Sequence, residues 1–404
     1  MTDVRLTKRG FLVTMIFHFT FLTWYYVFSF VVLGHIFGSS AETYLIVYAS
    51  FNFIIVTTLL LSSFFIHKFS KVRVIFECSI AISIVALLLP FVSNIILRLI
   101  VIFVEGIFFS IGQLASFTYF WSLTVPEERG RAAGIAGFFS LLFLHLISLI
   151  AQTFDFSGTV MLSAILSLGT LTTRLLRPEK KVLLTTKKDE KRYRPEKRTI
   201  FLYSVPWILF SLINTTLARN ISLHVSQSVP SSLYMFLLVL QMTASGFGAL
   251  GGGIIADLFG RRLSLGFGLT LYGISTVLGG FVENYEVLYF MYVVNGLNWG
   301  LLWTLYGSVV WGDLADKENC AKRYSIGLII FYLSTGVGFF LTPQISQIPL
   351  IISSLASCLL IFLSNIALIL APELLSSDFR ERIKLKLYMN VIRKIGRKLS
   401  QDQG

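Results

Sequence analysis

Long apolar stretches dominate the chain, and polar residues gather in short breaks between them. A helix that crosses a bilayer needs about 20 mainly apolar residues, because the hydrocarbon is roughly 30 Å thick and each residue rises about 1.5 Å. Windows of that kind occur at Phe11–Val32, Tyr44–Ile66, Val72–Val92, Ile95–Leu123, Ala132–Phe154 and Thr159–Leu176. They recur at Ile200–Leu217, Leu233–Ala256, Leu263–Val282, Val287–Val310, Ser325–Leu341 and Leu350–Leu370, with Pro343 and Pro349 dividing the last pair. The pattern predicts an all-α polytopic membrane protein with twelve transmembrane helices.

The widest break, Arg177–Arg198, lacks apolar periodicity and carries ten Lys/Arg against Glu179, Asp189, Glu190 and Glu196. It lies close to the midpoint and separates six windows from six. The expected organisation is a six-helix bundle over residues 1–176, a basic linker over 177–198, a second bundle over 199–371 and a tail over 372–404. In that tail Phe379, Ile383, Leu387, Val391 and Ile395 recur every four residues among basic side chains. This predicts an amphipathic helix lying on an anionic membrane surface.

Composition agrees with the spans. The 404 residues are 55% hydrophobic and 14% charged, against about 25% charged in soluble domains. A soluble globule, a disordered chain and a fibre are excluded. Cys78, Cys320 and Cys358 are too few and too scattered for a disulfide framework or a metal pair. With no metal spacing, phosphate loop or nucleophile–base set, neither an enzyme nor a cofactor is expected.

The net charge of +13 is explained by where the charges sit. With the N-terminus placed inside, every one of the 34 Lys and Arg except Arg98 and Arg219 falls on the inner side. The positive-inside rule then places both termini in the cytoplasm of a multi-pass plasma-membrane protein, and nucleic acid is not an expected partner. The first apolar stretch is too long for a secretory signal and no small-residue cleavage site follows it.

Several markers repeat at a shift of 190 residues: Val104-Glu105-Gly106 with Val294-Asn295-Gly296, Trp121 with Trp311, and the loop 63–71 with 253–261. The segment Gly253-Ile-Ile-Ala-Asp257-Leu258-Phe259-Gly260-Arg261-Arg262 resembles the signature loop of the major facilitator superfamily, with Leu258 in place of its usual basic residue. The first-half copy has Ser63, His67 and Ser70 at its key positions. Pro126-Glu127-Glu128-Arg129-Gly130-Arg131 resembles the same family's loop 4–5. Arg177-Pro178-Glu179 and Ala371-Pro372-Glu373 faintly resemble the Pro-Glu motifs of its sugar porters. Two features depart from the family's drug–proton antiporters: span 5 lacks their Gly-Pro signature, and Ile102 stands where span 4 would carry Arg.

The resemblance implies two homologous bundles that expose a central crevice to either side in turn. It also implies that Asp257 meets the start of span 5 near Arg129 and Arg131. Independently of it, Gly253 permits close helix approach, Gly260 permits a turn at positive φ, and an acid suits a helix N-terminus. Gly253, Asp257, Gly260, Arg261, Arg262, Arg129 and Arg131 are therefore the candidate conformational latch. The plainer alternative is a basic anchoring turn. His67 would make the first-half copy weaker or pH-dependent.

Ionisable groups at membrane depth are costly and ask for a reason. Glu105, about ten residues into span 4, is the clearest; His18 and His145 are the other proton-coupling candidates. Burial favours the neutral acid and a nearby Arg98 the charged one. A structural hydrogen bond is the alternative role for Glu105. The family resemblance implies a cavity lined by spans 1, 4, 7 and 10. On those spans Arg98, Gln113, Trp207, Asn214, Asn295, Asn298, Trp299 and Trp303 are the candidate cavity residues, whereas Trp121, Tyr25 and Tyr306 read as interfacial anchors. The expected function is secondary active transport of a small solute by a monomer, with protons as a coupling ion. An uncoupled facilitator and a non-transporting sensor are the alternatives.

Overall fold

The computed structural model describes residues 6–176, 178, 196–280, 285–375 and 381, apart from the side chain of His145. The basic linker and the amphipathic tail fall almost wholly outside the described residues.

The first six helices are α1 (Lys8–Phe37), α2 (Ala41–Ser62), α3 (Lys71–Phe91), α4 (Ile95–Leu123), α5 (Pro126–Gln152) and α6 (Phe156–Leu176). There follow α7 (Lys197–Ser228) and α8 (Ser231–Phe259), then α9 (Arg261–Leu278). After α10 (Tyr285–Thr304, extended by Leu305–Val309 and Val310–Asp313) come α11 (Cys320–Phe340) and α12 (Leu350–Leu370). Among the described residues ten of these are long and apolar enough to cross a membrane. α9 begins on two arginines and α10 carries Asn295 and Asn298, and these two complete the twelve-helix fold.

Polar caps shape the turns remote from the basic loops. Ser40, Asn94 and Asp155 accept backbone N–H groups at the starts of α2, α4 and α6, satisfying donors a helix leaves open. At the basic end Pro126 opens α5, and Gly260, at φ 104°, turns the chain between α8 and α9.

α1 to α6 pack among themselves, as do α7 to α12. The halves meet where α2 packs on α11 and α5 on α8. Exchanging the halves turns one of these pairs into the other, so the contact is two-fold. The α5–α8 seam is made of small residues: a Cβ at Gly253 would strike the Gly130 carbonyl, and one at Gly134 would meet the Ala249 carbonyl. Small residues let membrane helices approach at backbone distance. The repeat also appears as a shared irregularity. α1 passes into a π-helical turn at Val27, and α7 breaks at Thr216 (φ −115°, ψ −88°) before restarting at Leu217.

Candidate functional site

At the basic end, five charged side chains alternate in sign across the interface. Asp257, 1% exposed, accepts the N–H groups of Gly130 (3.0 Å) and Arg131 (2.9 Å) in the opening turns of α5. It also takes the Arg131 Nε (3.1 Å) and the Arg261 Nη1 (2.6 Å). Arg261 reaches onward to Asp313 at the end of α10 (2.8 Å), and Arg129 of α5 pairs with that same carboxylate. The ladder runs Arg131–Asp257–Arg261–Asp313–Arg129, beginning and ending on α5. Four of its members are buried, and Arg131 is half exposed. Each buried carboxylate thus faces two guanidinium groups, which is what burial of charge requires.

Backbone contacts add one bond across the interface and brace the start of α9 within the second half. Trp121 of α4 donates to the Gly312 carbonyl of α10 (3.0 Å). Glu373 accepts the N–H groups of Arg261 (2.7 Å) and Arg262 (3.1 Å) at the start of α9, and Arg262 donates to the Ala371 carbonyl (3.0 Å). His67, the repeat counterpart of Asp257, is exposed on a short helical turn. The two halves therefore differ: only the second carries buried charge at this position.

Above the ladder a small vestibule of about 30 Å³ is lined by His18, Gln113, Ser116, Phe117, Trp303 and Thr304 among others. Beyond it, toward the far end, lies a chamber of about 200 Å³. Its walls come from α1, α2, α7, α8, α10 and α11, and include Tyr25, Asn214, Arg219, Gln241, Trp299 and Phe331. Between the two, Tyr332 of α11 donates to the Gln113 Oε1 of α4 (3.0 Å) and sets its ring edge against Tyr25 (5.2 Å).

Rings close the far end. Tyr48 of α2 stacks on Phe339 of α11 with centroids 3.9 Å apart, and the Arg219 guanidinium carbon lies 3.7 Å from the Phe339 centroid. Two groups that close to one ring centre cannot share a face, so Phe339 is sandwiched between them. Tyr25 donates to Asn52 (2.9 Å), which leaves Tyr48 to donate to Tyr25 (3.1 Å).

The structure sorts the predicted cavity residues. Asn214 and Trp299 line the far chamber, Gln113 and Trp303 line the vestibule, and the proton-coupling candidate His18 lies on the vestibule wall with them. Asn295 stands one step behind the chamber wall, accepting from Gln241 (2.6 Å). Three residues do not belong to the cavities. Trp207 is 1% exposed, donates to the Gly327 carbonyl (2.8 Å) and stacks on Tyr306, so it is core packing between α7 and α11. Asn298 bonds its own helix at the Val294 carbonyl (2.8 Å). Arg98 sits at the far end of α4, on the Val92 carbonyl and over the Phe156 ring. Of the residues expected as interfacial anchors, Trp121 and Tyr25 make contacts between the halves, and Tyr306 is wholly buried.

Glu105 is fully buried, and neither carboxylate oxygen has a hydrogen-bond partner. It lines neither cavity. The side chain of His145 lies outside the described residues. Asp313, Tyr48, Phe339 and Arg219 carry contacts that sequence reasoning missed. An acid ending a cavity helix among basic loops was the one available signal for Asp313, and the Pro-Glu motif the one for Glu373.

Residues 11–230 match the model of the Major Facilitator Superfamily, and residues 199–323 match that of the sugar (and other) transporters. The quinolone resistance protein NorA of Staphylococcus aureus is 25% identical over 155 residues, which span 37% of this chain and 38% of NorA. Among solved structures, the human organic anion transporter MFSD10 superposes with a TM-score of 0.71 at 11% identity, over 89% of this chain and 99% of that one. A bacterial homologue of the iron transporter ferroportin, in an outward-facing state, gives 0.66 at 15% identity over 90% and 98%. These structures are similar in fold.

Proposed function

We propose that this chain, which belongs to the Major Facilitator Superfamily and is a multi-pass membrane transporter, moves a small organic solute by alternating access with the ionic ladder as its cytoplasmic closure. The observation that carries this reading is the vertical order of ladder, vestibule, chamber and aromatic closure, all placed between two symmetry-related bundles. The concentration of basic residues at the ladder end supports cytoplasmic termini in a plasma membrane. Ring-lined walls with a few amides suit a partly apolar solute. The partial likeness to a protein named for quinolone resistance supports an organic solute, although the Gly-Pro and Arg features of drug–proton antiporters are missing here.

Glu105 is the proposed proton carrier. An ionised carboxylate without a donor is costly in such a place, so release of its proton requires a state of the cycle that brings water or a donor to it. The test is flux of an organic-solute panel into liposomes holding the full chain, at imposed pH and voltage gradients. Flux should respond to the pH gradient in the wild type and lose that response in Glu105→Gln. Unchanged pH dependence removes Glu105 from the coupling, and immobility of every solute returns the sensor reading. Because Glu105 lines neither cavity, an uncoupled facilitator is the second reading, distinguished by flux that ignores both gradients.

A further inference from the structure

Among the described residues, the Lys and Arg side chains other than Arg98 and Arg219 lie at the end of the ladder. Arg98 is engaged at the α3–α4 turn. Arg219 instead enters the far chamber, on a wall that contains no carboxylate. Among the described residues it has no ion pair; its guanidinium lies on the face of Phe339, and its buried Nε has no acceptor. A ring face holds a cation by roughly 0.5–2 kcal/mol. It does not supply the fork of acceptor oxygens that a guanidinium takes from an anion.

The backbone next to Arg219 is irregular as well. α7 breaks at Thr216, less than one helical turn before Arg219, and the repeat-related position in α1 begins a π-helical turn. Interrupted membrane helices at matching places in two repeats recur where transporters hold their cargo. Here the interruptions bring Tyr25 and Tyr26 of one half and Thr215 and Arg219 of the other to one cavity.

We propose that the far chamber binds an organic monoanion, a carboxylate or sulfonate on a body of one or two aromatic rings, with Arg219 as its counter-charge. The rings of Tyr25, Tyr26, Trp299 and Phe331 receive the apolar body, and the amides of Asn214 and Gln241 leave room for a polar substituent. A chamber of about 200 Å³ limits the cargo to that size. This inference rests on the transporter reading and names the class of its substrate.

The test is equilibrium binding of naphthoate and of its neutral isostere naphthamide to the full chain in detergent. No gradient and no flux are involved, so the result is independent of coupling, and binding without charge preference sinks only the anion assignment. The wild type should prefer naphthoate by about tenfold, the scale of one charge-assisted contact. Arg219→Gln should abolish the preference while still binding naphthamide, and Arg219→Lys should keep part of it. Equal affinity of the two probes in the wild type overturns the proposal, as does failure of both to bind. A preference that survives in Arg219→Gln does the same. Should that variant lose both probes, the wild-type comparison and Arg219→Lys decide.

Discussion

At the basic end five charged side chains alternate in sign from Arg131 to Arg129, whereas at the far end the Tyr48 ring of one half stacks on Phe339 of the other, which also carries the Arg219 guanidinium. Both closures join the same two bundles at symmetry-related seams, yet they answer different demands. The ladder has to be complete: removing one acid strands a buried cation, while opening the whole ladder returns every member to water. It therefore favours two states, shut or open, over anything between. An aromatic pair is worth only about 0.5–1.5 kcal/mol beyond its buried area and yields by degrees. The larger cavity lies beside the weaker closure, as expected if cargo enters there in the state described.

The contrast can be broken first at Asp257. Asp257→Asn keeps the shape but leaves Arg261 short of a counter-charge, at a cost of about 3–5 kcal/mol to the closed basic end. Alkylation of a cysteine placed at Ser116 in the vestibule, applied from the basic side, should accelerate more than tenfold, roughly the scale of that loss. An unchanged rate would mean that the ladder is not the closure. Gly253→Val acts on the same closure through shape, since its Cβ meets the Gly130 carbonyl. Overpacking of this kind costs about 1–3 kcal/mol, so the same probe should accelerate less than with Asp257→Asn, and the thermal midpoint should fall. Gly253→Ala already supplies the clashing Cβ, so an alanine variant that leaves the rate unchanged would argue against steric control. The smallest effect is expected at Phe339→Leu, which removes the ring held between Tyr48 and Arg219. A cysteine at Thr335 in the chamber should become two- to tenfold more reactive from the far side, by the worth of one aromatic pair, with Ser116 unaffected. A matching change at Ser116 would show that the ends are not separate devices.

Much of the closure at the basic end was legible because its parts sit in one short segment. Gly253, Asp257, Gly260 and Arg261 share a single helix end and the turn after it, so their spacing alone implies a carboxylate beside a positive-φ turn, and the structure has that geometry. Asp313 was not legible, because its partners Arg129 and Arg261 come from α5 and α9 and no local pattern announces a meeting of three helices. Trp207 shows the complementary failure. Its spacing with Tyr203 and Asn214 places all three on one face of α7, but periodicity does not say what packs on that face at each depth. Packing on α11 turned Trp207 into the core and left Asn214 at the chamber.

The far end shows the same division. Tyr48, Phe339 and Arg219 are unremarkable in sequence: an aromatic in α2, another in α11, and an arginine that merely broke the positive-inside count. The chain by itself determined the helices, the sign of each end and the two-fold relation of the halves, because hydropathy, charge and repetition act along the chain. Tertiary structure alone decided which side chains look inward, which arginine stands over a ring and which acid holds two cations. Those outcomes depend on how far each helix is rotated about its own axis, and that rotation is set by the small residues and ridges of its neighbours.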